Sequence, residues 1–404
     1  MRARSLLSHS GALLRIMIIG SRLEAIQRSR PAAYGHTFWL DMISEISRKA
    51  DQVVVASIGG TSYQKDCRTY TLLPFPLPLL YQCATSRAQE RLELHYLFRT
   101  VLFAEACTWI RKFVNNNGID VVHLIDNYGP IQAILSTIKA KKTISHVHYE
   151  PTFPSYDQLL RLSLRPFDAI VAGSNMVAQR LGKLRNPSAV IETIPWGVPS
   201  DSFDKATVGE ARTRSVLGLG AETTIVLWTG FIRTVVRPAE LLFSVGVAKR
   251  IVRKLPDVVF VFAFKGQQFR HEYLNFEQRG IRVVPLSSRT EFLELVRISS
   301  LLFSPCLNRR ATISAPLSWL ECMAVGVPVV TTDVAGAEEV VANDKNGVIL
   351  ADLEETEGHL CALLRDRQRI ERLGMAAKET VESKFQVDRL AAAYLNLWGS
   401  LTNR

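Results

Sequence analysis

Short apolar runs alternate with longer amphipathic segments along the whole chain. The runs are rich in Val and Ile and apolar on both faces, which is typical of parallel strands covered by helices. Strands are predicted at residues 15–20, 52–58, 120–125, 143–149, 168–174 and 190–196, and then at 224–230, 258–264, 281–286, 301–305, 327–332 and 347–351. Amphipathic segments such as 238–255 and 289–300 have the helical period. This β-α-β repetition predicts an α/β protein with two doubly wound, Rossmann-like domains.

A stretch rich in Gly, Pro and polar residues, 194–223, separates the two sets of strands. We therefore predict a flexible extension over 1–14, an N-terminal domain over 15–196, a linker over 197–222, a C-terminal domain over 223–375, and C-terminal helices over 376–404 that pack back toward the first domain. A length of 404 residues suits two domains. Doubly wound domains bind ligands at the carboxyl ends of their strands, so a cleft between the domains is the expected site.

Residues 70–82, YTLLPFPLPLLYQ, combine apolar side chains with three prolines. The favoured interpretation is a loop that is stiffened by proline and packed on the core. The alternative is an exposed apolar patch that contacts a membrane surface or holds a lipid acceptor.

The charge of the chain is uneven. Of a net charge of +11, residues 1–200 carry +9 and residues 201–404 carry +2. A basic N-terminal half is suited to an anionic membrane surface or an acidic substrate, although charge also serves solubility. We expect no nucleic-acid partner, because no recognised binding motif accompanies the charge.

The six cysteines form no C-x-x-C pair, which argues against a zinc site or a disulfide framework. No apolar run is long enough to span a bilayer. These features favour a cytoplasmic protein, with a peripheral position on the inner face of a membrane as the alternative.

One apolar helix carries a carboxylate. Pro316 suits its first turn and Gly326 the position after its end, so a helix is predicted over 316–325. Glu321 adjoins the apolar stripe that Leu317 and Leu320 begin. Most helical glutamates are solvated, but one beside the core needs hydrogen-bond donors, and two sugar hydroxyls would serve.

The next segment, TTDVAGAEEVV, leaves a buried strand, turns at Gly336 and is predicted to enter a helix. Glycine permits close backbone approach, and a helix N-terminus favours an anionic group. With Glu321, this turn predicts a ligand site. The chain has no D-x-D motif and no G-x-G-x-x-G after its first strand, so we expect no metal and no nicotinamide cofactor.

The run PLSWLECMAVGVPVVTTDVAGAEEVV, followed by NDKNGVIL, resembles the C-terminal signature of the group 1 (family 4) retaining glycosyltransferases. Further segments, at 118–126, 144–150, 167–181 and 191–203, resemble other parts of that family. The resemblance implies the GT-B architecture, in which two Rossmann-like domains face each other across a cleft. It also implies metal-independent transfer of a sugar, with retention, from a nucleotide-diphosphate-sugar donor to a glycan, a lipid-linked acceptor or a small molecule.

The resemblance also implies roles for individual residues. Glu321 would bind the ribose hydroxyls of the donor, with Pro316, Leu317, Ser314, Gly336 and Glu339 beside it. His148 would face the transferred sugar, while Arg233 and Arg237 would neutralise the departing diphosphate, where fixed positive charge stabilises the growing negative charge. The acceptor-side candidates are Gly20, Gly35 and Asp126. His123 is expected in the core.

The chain departs from the family at Ile313, where the family has the first Glu of its E-x7-E motif. That Glu contacts the transferred sugar, so the departure implies either a shifted sugar specificity or a loss of transfer. The alternative functions are therefore a catalytically impaired binding or scaffold protein with this fold and, less favoured, a nucleotide-sugar epimerase or a sugar-phosphate synthase. The family's acceptor loop after the first strand is also replaced.

Overall fold

The computed structural model describes residues 14–21, 37–50, 52–58, 65–66, 71–75, 110–125, 140–147, 164, 167–184, 188–199, 210–230, 238–265, 271–307 and 316–403. The chain divides into two compact units. The first contains the initial strand, residues Trp39–Pro195 and the C-terminal segment Asp388–Arg404, and the second contains Trp196–Val387.

The first unit is built on an eight-stranded sheet with the order β3-β4-β2-β1-β5-β6-β7-β8. Its strands are β1 (Arg15–Ser21), β2 (Gln52–Ile58), β3 (Lys65–Asp66), β4 (Thr71–Phe75), β5 (Val121–Leu124), β6 (Lys142–Val147), β7 (Ala169–Ala172) and β8 (Val190–Thr193). Neighbouring strands are parallel, apart from the pair β3 and β4. Helix α2 (Asn175–Gly182) and, from Trp39 onward, helix α1 (Thr37–Lys49) belong to this unit, and residues 110–117 are also helical.

The Pro-rich segment differs from its predicted form. Residues Thr71–Phe75 form β4 and pair with β2, so that Pro74 lies opposite Ser57. A proline near the edge of a sheet is tolerated because the lost N–H need not serve a full ladder on both sides. The prediction of a loop is therefore wrong for 71–75, and residues 76–82 lie outside the described part of the chain.

The second unit is built on a six-stranded, wholly parallel sheet with the order β11-β10-β9-β12-β13-β14. Its strands are β9 (Thr224–Gly230), β10 (Val258–Lys265), β11 (Ile281–Leu286), β12 (Leu301–Phe303), β13 (Val329–Thr332) and β14 (Gly347–Leu350). Its helices are α3 (Glu210–Val216), α4 (Pro238–Lys254), α5 (Arg289–Ile298), α6 (Leu317–Ala324), α7 (Thr356–Arg365) and α8 (Arg367–Lys384). Short 3₁₀ helices occupy His271–Phe276 and Ala337–Glu339.

These two sheets confirm the predicted fold class of two doubly wound domains. The strand cores match the predicted apolar runs because those residues are buried on both faces, as Ile16–Ile19 and Phe260, Phe262 and Phe264 illustrate. In the second sheet the strand order reverses between β9 and β12. In such sheets the carboxyl ends of the strands at the reversal are the usual place for a ligand.

Two boundaries differ from their predicted positions. The stretch predicted as a linker, 197–222, contains α3, which is held against α5. Thr213 donates a hydrogen bond to Glu294 at 3.3 Å, and Arg214 donates to the carbonyl of Ile298 at 3.2 Å, so this stretch is part of the second unit.

The predicted C-terminal segment 376–404 is also divided. Residues up to Val387 lie in the second unit, and Asp388–Arg404, most of helix α9 (Val387–Thr402), lies in the first.

Candidate functional site

Helix α6 lies between β12 and β13 and is almost wholly buried. Every residue of α6 except Ser318 is buried. Gly326 has the left-handed φ of +85° that stops the helix, as its position predicted. Pro316 stands just before the first helical residue rather than within the first turn, which shortens the predicted helix by a residue at each end.

Glu321 is the buried carboxylate of this helix. Its side chain is 3% exposed, so the alternative of a solvated helical glutamate is wrong. Its Oε1 accepts a hydrogen bond from Nε of Arg289 at 3.3 Å, and the two side chains form an ion pair. The sequence led us to expect sugar hydroxyls as the donors to this carboxylate, but the protein itself supplies one.

Arg289 is the first residue of α5, three residues beyond the end of β11. The start of this helix is tightly fixed, because Ser288 caps it by accepting from the N–H of Glu291 at 3.2 Å, and the Glu291 carboxylate accepts from the N–H of Ser287 at 2.7 Å. The hydroxyl of Ser287 also donates to Glu291, and these hydrogen bonds lower the pKa of the Glu291 carboxyl group. The anchored backbone therefore limits where the Arg289 guanidinium can reach.

The segment that follows β12 is held by hydrogen bonds from the elements around it. Trp319 of α6 donates from Nε1 to the hydroxyl of Ser304 at 2.9 Å, and Thr331 of β13 donates to the Ser304 carbonyl at 2.9 Å. Thr332, the next residue of β13, accepts a hydrogen bond at its hydroxyl from the N–H of Cys306 at 2.9 Å. The residues that directly follow β12 are therefore fixed to α6 and β13.

Glu240 ties this segment to α4. It lies in the first turn of α4, it is 5% exposed, and its Oε1 accepts from the N–H of Leu307 at 3.3 Å. A buried carboxylate thus links the first turn of α4 to the segment that follows β12.

Thr229, at the carboxyl end of β9, presents a buried hydroxyl. Its side chain is 5% exposed, and its Oγ1 has no hydrogen-bond partner among the described residues. Trp228 packs into the core cluster with residues of α4, so the alternation along a strand directs Thr229 to the opposite face of the sheet. Helix α5 packs against β9, which places Thr229 on the face that α5 covers.

Gly336 forms the predicted turn after β13, with a left-handed φ of +83°. The helix predicted after it is wrong, because only Ala337–Glu339 are helical and they form a single 3₁₀ turn. A turn of this length does not provide the anion-binding helix N-terminus that we expected. Glu339 lies at the end of the turn and is half-buried.

The remaining predicted site residues fall into two groups. His148, Arg233, Arg237, Ser314, Gly35 and Asp126 lie outside the described residues, as does Ile313, and their roles stay predictions. Gly20 lies within β1, opposite Ser57, because the strand continues through Ser21. Gly20 is therefore part of the predicted strand, and its acceptor role stays a prediction.

A buried cluster of His123, His146, Tyr394 and Trp398 joins α9 to the first sheet. The two imidazoles are stacked with their centroids 5.7 Å apart, and Nδ1 of His146 lies 3.2 Å from the hydroxyl of Tyr394. The Trp398 indole meets His123 edge-on at 5.7 Å. Burial lowers the pKa of His123 to about 3 and raises the pKa of Tyr394. His123 is in the core, as expected from the sequence.

The described residues contain neither a helix suited to cross a membrane nor a cluster of side chains suited to hold a metal ion. No helix there has both the length and the apolar character needed to cross a membrane. Nor do any three His, Cys, Asp or Glu residues in these ranges stand close enough to hold a metal ion.

Comparison with known proteins identifies the family that the second unit resembles. Residues 223–366 match the family model described as "Glycosyl transferases group 1". The chain is 27% identical over 259 residues to a D-inositol 3-phosphate glycosyltransferase of Xylanimonas cellulosilytica, covering 59% of this chain and 58% of that protein. It is 24% identical over 265 residues to a GDP-mannose-dependent alpha-(1-6)-phosphatidylinositol monomannoside mannosyltransferase of Mycolicibacterium smegmatis, covering 61% and 67%. These matches confirm the resemblance to the group 1 glycosyltransferases, although the chain spans only about six tenths of the length of the first relative.

Solved structures confirm the architecture over nearly the whole chain. Sucrose-phosphate synthase of Thermosynechococcus elongatus has a TM-score of 0.72 at 16% identity, with 96% of this chain and 99% of that chain covered. Anabaena HepE, in complex with UDP-glucose, has a TM-score of 0.67 at 15% identity, with 96% and 100% covered. The chain therefore has the GT-B fold of these proteins.

Proposed function

We propose that the protein is a glycosyltransferase that takes a sugar from a nucleotide-diphosphate-sugar donor, which it binds through the second unit. The observation that carries this proposal is the buried carboxylate of Glu321, on a helix within the segment that matches the family model. A carboxylate with almost no access to water binds hydroxyl donors more strongly than an exposed one, because water does not compete for its lone pairs.

The ribose of the donor is the proposed ligand of Glu321. Its neighbouring 2′- and 3′-hydroxyls offer two donors in the spacing that a carboxylate accepts. Uracil and guanine are the first bases to test. Anabaena HepE has been solved in complex with UDP, and the name of the mycobacterial relative specifies GDP-mannose.

The chemical step requires positive charge at the leaving diphosphate. We assign this role to Arg233 and Arg237, which lie in sequence between the carboxyl end of β9 and α4, and the role of facing the transferred sugar to His148, which directly follows β6. A metal-free, retaining reaction is part of the proposal. Because Ile313 replaces a glutamate that contacts the sugar in the family, we propose that the sugar subsite differs from the common one.

The acceptor is proposed to be a glycan or a lipid-linked molecule. The names of the relatives include an inositol phosphate and a phosphatidylinositol mannoside, both of which are anionic. The net charge of +9 over residues 1–200 suits such an acceptor, and it suits a cytoplasmic protein that binds the inner face of a membrane.

Nucleotide binding tests the donor site directly. Isothermal titration with UDP, GDP and ADP should give a dissociation constant for at least one of them, and Glu321→Gln should raise it by tenfold or more, about 1.4 kcal/mol. The matched control is Glu338→Gln, which neutralises an exposed glutamate of the same unit and should leave the constant unchanged. Equal binding by wild type and Glu321→Gln would remove the assignment.

Turnover decides between an enzyme and a binding protein. Release of the nucleoside diphosphate from its sugar by the purified protein, faster when a lipid or glycan acceptor is added, supports the transferase. Tight nucleotide binding without release under any of these conditions would instead favour the scaffold function that Ile313 raises.

A further inference from the structure

We propose that Arg289 is a positioning residue of the donor site, which holds the Glu321 carboxylate in the orientation that receives the ribose hydroxyls. The inference rests on the proposed function. Arg289 was not among the residues that the sequence pattern or the family resemblance indicated, and the structure brings it to Glu321 from another helix.

The hydrogen bond from Arg289 is compatible with a carboxylate that binds a diol. Nε of Arg289 donates to Oε1 at 3.3 Å, and each carboxylate oxygen has two lone pairs. A diol needs one acceptor site on each oxygen, and the hydrogen bond from Arg289 takes one of the four. A planar guanidinium restrains the rotation of a carboxylate that it contacts, and a site that is restrained in advance loses less entropy when its ligand binds.

Arg289 carries its positive charge at the N-terminus of α5, where the helix dipole disfavours a cation. The N-terminus of a helix carries partial positive charge, so a cation in the first turn is disfavoured there. Glu291 in the same turn and Glu321 on the neighbouring helix offset this charge. Since Ser288 and Glu291 anchor the start of α5, the guanidinium is presented to Glu321 by a fixed backbone.

The topology places the two residues on consecutive helices of the second unit. Helix α5 connects β11, at one edge of the sheet, to β12 beside the central strand β9, and α6 follows β12. The pair therefore ties the two helices that flank β12 in the chain. The Arg289 side chain is 24% exposed while that of Glu321 is 3% exposed, so the carboxylate is the more deeply buried member of the pair.

A positioning role and a purely structural one make different predictions. A structural ion pair affects folding and, through it, the binding of every nucleotide alike. A positioning residue affects the contact with the ribose hydroxyls, which is absent when the nucleotide lacks its 2′-hydroxyl. The preference for a ribonucleotide over its 2′-deoxy form is therefore the informative quantity.

The experiment compares the dissociation constants of UDP with 2′-deoxy-UDP, GDP with 2′-deoxy-GDP and ADP with 2′-deoxy-ADP, and uses the pair that wild type binds. Wild type should prefer the ribonucleotide by about tenfold, the value of a hydrogen bond to a charged group. Arg289→Met should reduce this preference to less than about threefold. Arg297→Met, which removes a half-buried arginine from the last turn of the same helix, should keep the wild-type ratio.

A second variant keeps the test decisive if Arg289→Met does not fold. Arg289→Lys retains the positive charge beside Glu321 but lacks the planar donor, so it should fold and should lose at least half of the wild-type preference. Folded Arg289 variants that keep the full preference would overturn the inference and leave the proposed function intact. A wild-type protein that binds the two nucleotides of a pair equally would instead refute the ribose assignment of Glu321 itself.

Discussion

His123 makes the stability of the first unit depend on pH. Its ring is fully buried between His146, Tyr394 and Trp398, and burial lowers its pKa from an ordinary 6.5 to about 3. Below pH 6.5 the unfolded chain binds a proton at this residue and the folded chain does not. Stability contributed by the neutral ring is therefore complete above pH 6.5 and is lost progressively as the pH falls from 6.5 toward 3.

The magnitude follows from the two pKa values. At pH 5 the pH lies 1.5 units below the pKa of His123 in the unfolded chain, so the unfolded chain is protonated there whereas the folded chain is still neutral. Each of these units stabilises the unfolded state by about 1.36 kcal/mol. His123 should thus reduce the free energy of unfolding by about 2 kcal/mol between pH 7.5 and pH 5. A loss of this size is a large part of the stability of an ordinary domain.

Urea denaturation at both pH values, followed by circular dichroism, gives the free energy of unfolding that each protein loses on acidification. The contribution of His123 is the difference between the losses of wild type and His123→Phe. The variant keeps an aromatic ring but cannot titrate, so it should lose about 2 kcal/mol less than wild type on acidification. His359→Phe is the matched control, since the His359 side chain is 56% exposed and its replacement should leave the pH dependence near that of wild type. Parallel pH dependences for wild type and His123→Phe would refute the reasoning.

Two further predictions concern packing, and both are read from urea denaturation. Thr229→Val should stabilise the ligand-free protein by about 1 kcal/mol, because the buried hydroxyl has no partner among the described residues and valine has the same shape; a loss of stability would show that the hydroxyl is bonded. Gly374→Ala should destabilise by about 1–3 kcal/mol, although alanine usually favours a helix, because its methyl group would collide with the carbonyl of Gly326. Gly399→Ala, whose methyl group meets nothing within 4 Å, should stabilise by up to about 1 kcal/mol, and equal effects of the two glycine substitutions would contradict the packing argument.

The sequence predicted the strands well where burial on both faces leaves a continuous apolar run. Segments 52–58, 224–230 and 281–286 begin and end where they were predicted. Strand β4 was missed because its proline and the prolines after it are typical of a loop, and only pairing with β2 makes this segment a strand. Helix α3 was missed because its surroundings are rich in Gly and polar residues, and it is held by long-range contacts to α5.

The candidate site was predictable where the signal is local. The burial of Glu321 and the left-handed turns at Gly326 and Gly336 follow from neighbouring residues in the sequence. The prediction of a helix after Gly336 was wrong, since the 3₁₀ turn ends before Val340 and Val341. These are β-branched residues, which favour a helix only weakly. The pairing of Arg289 with Glu321 spans 32 residues, and no local pattern indicates it.

The burial of Glu321 in an apolar helix bears on why a carboxylate occupies this position. A buried ion pair costs desolvation that its attraction barely repays, and apolar side chains of similar volume often stabilise such a position more. The rest of α6 is suited to an apolar residue there, since its neighbours Leu320 and Cys322 are in the core. We attribute the carboxylate at this position to the proposed ligand, and the apolar packing around it fixes its place, because α6 cannot shift without disturbing the core. In the proposed site, the core provides the rigidity and Arg289 the orientation for binding a ribose diol.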